Sequence, residues 1–403
     1  MAPRIAPFRD ENLLPNTPRM TVAAAFLPPD ELRRQLREMV GADAHGKTIT
    51  AVQNALAALL DAGTVGLLAM ASALAALQGL PLKNAQRRLE ELLSNAGFDP
   101  WAWAEHWVPY VIALRTEVLV ALDWTDFDAD GHSTICACVI TEHGRATPLL
   151  WRTVPKAMLS DGGRTDEEDA LLLRLRAVIP KGVRVTLVAD RGFADSKLMT
   201  LLQRWEWSYV IRIRKNITVT DRHGTAKAAG QWLRPDRKAV RLEKAALTKE
   251  ATPIGCFVAV RAAAMKDPWL LACSADVFSS AMAIAMYGKR FTIEETFRDH
   301  QDPRFGMGMD HVRCDAPEKR DRLMMLAALA QGLLTLLGAA GEASGVDRTL
   351  SRKKGRVFSL LRQGKLYYEL LPTMPQPYRA LLVEAFGRLI QAHRALAEPL
   401  GLL

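Results

Sequence analysis

At Glu117 the hydrophobic pattern of the chain changes period. Before it, from Pro29 to about Arg115, apolar residues recur at helical spacing, as in ELRRQLREMV and LKNAQRRLEELLSN. After it come apolar runs of strand length, EVLVALDW, STICACVIT and ATPLLWRTV, separated by turns of Asp, Gly and His. These runs predict a three-stranded meander. A helical segment from Asp166 to Val178, stopped by Pro180 and Gly182, leads into VRVTLVAD, a largely apolar run of the kind buried on both faces of a sheet. A helix from about Ala194 to Arg204 and a strand, SYVIRIR, follow. Three strands, then helix, strand, helix, strand, is the order of an α/β fold with a mixed sheet flanked by helices. The expected division is a helical region over 1–115, a sheet domain over 116–212 and 276–312 interrupted by a β-rich insertion at 213–275, and a helical region over 313–403.

A chain of 403 residues exceeds what one hydrophobic core usually supports. With 49% hydrophobic and 24% charged residues it is neither disordered nor collagen-like. The net charge of +9 points to a polyanionic partner. That charge is concentrated: residues 212–249 carry 11 basic against three acidic side chains. Residues 1–116 are net neutral, but their basic residues cluster as Arg33, Arg34 and Arg37 and as Lys83, Arg87 and Arg88. The five cysteines include no C-x-x-C pair, which argues against a disulfide framework or a zinc ribbon and fits a reducing cytoplasm. No apolar signal region is seen at the N-terminus, so a cytoplasmic location is expected. The uncharged stretches Ala62 to Leu82 and Leu323 to Gly341 are diluted by Gly and Gln, and buried helices rather than membrane spans are expected.

Two motif matches fail on context. Gly41 to Thr48 satisfies G-x-x-x-x-G-K-[ST], but a phosphate loop must leave a buried strand, and the preceding segment is charged at helical spacing. Asp126-Phe-Asp128-Ala-Asp130-Gly131 begins like a calcium loop, yet position twelve is Ala137 and the flanks are strands, so an acidic turn is expected.

Three carboxylates form a more coherent set. Asp123 ends the run EVLVAL and Asp190 ends VRVTLVA, which places two hard oxygen ligands at a sheet edge where a divalent cation can sit. Gly192 is expected to relieve the backbone of the turn after Asp190. In AMYGKRFTIEETFRDHQ, read as one helix, Tyr287, Arg290, Glu294 and Gln301 share a stripe, while Phe291 and Phe297 can pack inward. Taken singly, each of these has a bland reading as a turn residue or a solvated helix face.

Together they resemble the DDE transposases of bacterial insertion sequences, in the branch with an RNase H-like catalytic domain and a β-strand insertion. LKNAQRRLEELLSN, LDWTDF, VADRGFAD, DPWLLACSAD and YGKRFTIEETFRDHQDPRFGMG occur in that family's order. The resemblance implies cut-and-paste transposition, with Asp123, Asp190 and Glu294 as catalytic residues holding two Mg²⁺ (or Mn²⁺) ions roughly 3.5 to 4 Å apart. It implies that Tyr287 and Arg290 hold phosphates of the terminal inverted repeat, and that Trp269 stacks beside a flipped base. The family has a lysine where this chain has Gln301, so either a neighbouring cation such as Arg298 or Arg304 substitutes, or end binding is weaker, or this copy is degraded. Lys83, Arg87 and Arg88 are expected to contact the repeat, the basic insertion to track the duplex, and a homodimer to form on paired DNA ends. The competing expectation is a catalytically silent DNA-binding protein of the same fold, which Gln301 keeps open.

Overall fold

A computed structural model describes residues 29–41, 44–141, 144–160, 162–262, 265–277, 279–302, 306–351, 353 and 355–391. Strands β1 (Glu117–Phe127), β2 (His132–Ile140) and β3 (Ala146–Pro155) form the expected antiparallel meander. Helix α6 (Gly163–Val178) leads to β4 (Arg184–Ala189), which runs parallel to β1; α7 (Ser196–Arg204) leads to β5 (Ser208–Arg212), parallel to β4. Val185, Leu187, Val188 and Ala189 of β4 are buried, as a central strand requires. The architecture is the RNase H-like α/β arrangement, with helical regions at both ends of the described chain.

The segment expected as one insertion serves two structures. Strands β8 (Val240–Glu243), β11 (Cys256–Val260) and β12 (Trp269–Cys273) continue the main sheet beyond β5, giving eight strands in the order β3-β2-β1-β4-β5-β12-β11-β8. The short strands β6 (Thr218–Thr220), β7 (Ala226–Ala228), β9 (Ala246–Leu247) and β10 (Thr252–Pro253) form a separate four-stranded sheet.

The front end is helical: α1 (Pro29–Val40), α2 (Gly46–Ala62), α3 (Leu67–Gln78), α4 (Leu82–Ser94) and α5 (Pro100–Ile112). Helix α1 precedes the G-x-x-x-x-G-K-T match, where a phosphate loop would need a strand, and Gly46 simply opens α2 behind the cap of His45. Residues 42–43 of that match lie outside the described residues. The first uncharged stretch is interrupted, because α2 and α3 meet at a bend of 107°. The acidic turn has local cations: Lys156 pairs with Asp126 and Asp128, and buried Arg320 pairs with Asp130 while lying over the ring of Phe127 at 4.0 Å.

Helices α8 (Ser280–Lys289), α9 (Thr292–Gln301), α10 (Pro317–Ser344), α11 (Leu360–Leu370) and α12 (Gln376–Gln391) complete the fold. Helix α10 is long and apolar enough to cross a membrane, but 94% of its apolar window is buried inside the protein, against β3, α2, α11 and α12. It is the core helix that the Gly and Gln dilution implied. Helices α10 and α11 approach so closely that a β-carbon on Gly338 would overlap the carbonyl of Leu360, and one on Gly364 the carbonyl of Leu334. Overpacking of this kind typically costs about 1–3 kcal/mol. Gly364→Ala is therefore expected to lower the unfolding free energy by that amount, read as a lower urea midpoint at unchanged slope in equilibrium unfolding.

Candidate active site

The parallel pairing of β1 with β4 ends at the register pair Leu122↔Ala189. Asp123 and Asp190 are the next residue on each strand, so two carboxylates stand side by side at one edge of the sheet. Each is held by a backbone amide. The Asp123 carboxylate accepts from the amide of Trp124 at 2.9 Å, and that of Asp190 from the amide of Gly192 at 2.6 Å. Gly192 is needed for room rather than for an unusual backbone angle: a β-carbon there would come within 2.9 Å of Asp190 Oδ1.

Glu294 arrives from the far end of the sequence. The segment read as one helix is two, α8 and α9, joined by a tight turn at Arg290 and Phe291, where Arg290 N–H bonds to Tyr287 O and Ile293 N–H to Arg290 O, both at 3.0 Å. The Thr292 hydroxyl donates to the carbonyl of Lys289 at 2.9 Å, a local bond that competes with regular helix continuation. Phe297 packs inward as expected, whereas Phe291 is 39% exposed and lies over Trp269, with ring centroids 6.0 Å apart. Trp269 is half-buried and meets Tyr287 edge-on at 4.9 Å.

Helix α9 is clamped to the sheet along its length. The Thr296 hydroxyl both donates to Ala146 O and accepts from Ala146 N, each at 2.8 Å. Arg145 pairs with Asp299, and buried His300 bonds Gln331 of α10 at 2.8 Å. Gln301 donates to the hydroxyl of Thr125 at 2.7 Å, two residues beyond Asp123 on β1. Arg298 points to solvent and binds Glu295 at 2.9 Å, while Arg304 lies outside the described residues.

Arg290 sits among the carboxylates. It is 5% exposed, with Nη1 2.8 Å from Asp123 Oδ2 and Nη2 2.7 Å from Glu294 Oε1. Burial pushes the Asp123 carboxyl up to about 6; Asp190 and Glu294 push the same way, and Arg290 and the Trp124 amide oppose them. Asp190 and Glu294 are thus close enough to be felt at Asp123. Among the described residues, no group of three or more His, Cys, Asp or Glu side chains is drawn together as an ion would need, and the Arg290 guanidinium pairs with two of the three carboxylates. The donor set itself, all carboxylate oxygen, suits Mg²⁺ or Mn²⁺.

Away from this edge, Lys83, Arg87 and Arg88 are all exposed on α4, where Arg87 pairs with Glu91 at 3.5 Å and Arg88 donates to Gln78 of α3 at 2.9 Å. One partner of the site had no legible signal. Glu168 accepts from the indole N–H of Trp124 at 2.8 Å, and burial raises its carboxyl to about 7. Nothing in GRTDEEDALLL distinguishes it from its acidic neighbours.

The model of the transposase DDE domain matches residues 115–333, more than half of the chain. The protein belongs to this family. The matched span opens just before β1 and runs into α10, so it contains all three carboxylates, and it supports transposase activity and the divalent-metal dependence general to DDE transposases. No curated protein sequence matches the chain.

The raised Asp123 carboxyl has a defined sign for stability. A carboxyl whose folded value lies above its unfolded one contributes stability that is complete below about pH 4 and is lost as pH rises through about 6. The transposase variant Asp123→Asn is therefore expected to melt above the parent near pH 8, by a difference of order 1–3 kcal/mol that vanishes toward pH 4. Thermal melts across pH without divalent cation measure this.

Proposed function

We propose that this transposase cuts DNA at the terminal inverted repeats of its element and joins the freed ends to target DNA, a cut-and-paste reaction. The observation that carries the reading is the pairing of β1 with β4, which sets Asp123 beside Asp190, together with a clamped α9 that brings Glu294 to the same edge. These three residues would hold two Mg²⁺ or Mn²⁺ ions. When bound, such ions supply Lewis acidity to the scissile phosphate and make water or a 3′-hydroxyl a better nucleophile at neutral pH.

The remaining roles fall to the protein's own groups. Arg290 Nε is buried with no hydrogen-bond partner among the described residues, and the buried Tyr287 hydroxyl, beside the Arg212 and Arg290 guanidiniums, has no acceptor for its own proton. Buried donors left unpaired are costly, and a backbone phosphate would satisfy both. Trp269, beside Tyr287 and Phe291, would stack on an unpaired base, a contact worth ~1–3 kcal/mol. Gln301, tied to Thr125, holds α9 to β1 instead of supplying the charge that a lysine would, and the exposed Arg298 is the nearer candidate for a phosphate. Lys83 and Arg87 on α4 would contact the repeat, with Arg88 directed toward α3, and the basic strands of 213–275 would follow the duplex. Two copies would act together on paired ends.

The test is incubation with DNA carrying the repeats that flank the gene, with and without Mg²⁺. Mg²⁺-dependent nicking and joining by the parent, absent from Asp190→Ala, is the expected result. DNA binding without cleavage would favour the catalytically silent alternative. Lys83→Ala/Arg87→Ala/Arg88→Ala is expected to weaken binding and to flatten the salt dependence of the affinity. Equal affinities across a salt series would remove α4 from the interface.

A further inference from the structure

Arg290 holds Asp123 and Glu294 through its two terminal nitrogens, and its Nε–H has no hydrogen-bond partner among the described residues. A carboxylate oxygen committed to a guanidinium is not free to face a dication, and the fixed positive charge repels one. A phosphate is the other partner that suits this group, since guanidinium binds phosphate as well as carboxylate in bidentate fashion. Phosphate and carboxylates therefore compete for one guanidinium.

We propose that Arg290 is a positioning residue that couples DNA binding to cation binding: without DNA it occupies the place of a counter-cation between Asp123 and Glu294, and a DNA phosphate draws it away, freeing both carboxylates. This rests on the reading of Asp123, Asp190 and Glu294 as cation ligands.

Three features suit the exchange. Arg290 lies in the turn between α8 and α9, so its side chain can swing while α9 stays clamped through Thr296, Asp299 and His300. The Glu294 side chain is 48% exposed and can turn without repacking the core. The buried Tyr287 hydroxyl, on the helical turn before Arg290, offers a second donor to the incoming phosphate. Coupling between two ligands is reciprocal, so cation should tighten DNA binding by the same factor that DNA tightens cation binding.

The experiment measures Mn²⁺ affinity of the full-length protein by electron paramagnetic resonance, which needs no turnover. The probes are Mn²⁺ alone and Mn²⁺ with a duplex taken from the DNA flanking the gene. The parent is expected to bind Mn²⁺ weakly alone and about 10-fold more tightly with duplex, within the usual range of coupling between sites. Arg290→Gln is expected to bind Mn²⁺ alone about 10-fold more tightly than the parent and to gain nothing further from duplex. Arg290→Lys, which keeps a cation for folding but cannot span two carboxylates, should fall between them and decides the matter if Arg290→Gln does not fold. Mn²⁺ affinity in both variants equal to or below that of the parent would overturn the proposal, as would a parent affinity unmoved by a duplex it binds. Asp123→Asn serves as the separate control: Mn²⁺ binding undiminished in that variant would sink the cation-ligand reading itself and not merely the coupling.

Discussion

The active edge depends on one parallel strand pairing. β1 and β4 are joined through a long crossover that contains β2, β3 and α6, and their register brings Leu122 opposite Ala189. A shift of one residue would stagger the two aspartates and turn one of them to the other face of the sheet. The register is protected by burial, since Val120, Ala121, Leu122, Leu187, Val188 and Ala189 are all enclosed. Hydrophobic packing therefore decides where the polar chemistry stands.

The third carboxylate is placed by hydrogen bonds rather than by the sheet. Thr296, Asp299, His300 and Gln301 each tie α9 to a different element: the start of β3, Arg145, α10 and the end of β1. A helix held at several points along its length leaves only side-chain motion to Glu294 and Arg290. With Asp190 nearby, two carboxylates share one guanidinium, an arrangement that lowers repulsion in the resting protein.

Much of this was legible in the amino-acid sequence, for physical reasons that can be named. The apolar runs ending in Asp123 and Asp190 mark where β1 and β4 stop pairing, although β1 itself continues to Phe127 beside β2, and the long hydrophobic α10 reads as a core helix because Gly and Gln dilute it. What was hidden depends on contacts remote in sequence. The turn at Arg290 reverses the exposure expected for Phe291, and it involves a local bond from the Thr292 hydroxyl that periodicity does not register. That β8, β11 and β12 join the main sheet depends on β12 pairing with β5, β11 with β12 and β8 with β11, which short strand patterns do not specify. The role of Gly192 was placed in its backbone, whereas what it provides is space beside Asp190. The link from Gln301 to Thr125 crosses 176 positions and leaves no trace in spacing.

The bend between α2 and α3 is fastened to the loop that follows α9: the Thr64 hydroxyl and the Val65 amide both donate to the carbonyl of Met307, each at 2.8 Å, and Met307 in turn donates to Asp299. From the other side, Arg322 of α10 grips the carbonyls of Leu93 and Phe98 at the end of α4. The front end is thus bolted to α9 and α10 rather than tethered to them. With α4 seated on DNA as proposed, the separation between the bases it touches and the bond to be broken becomes a fixed length, and the protein serves as a ruler whose graduation is cut into its own fold.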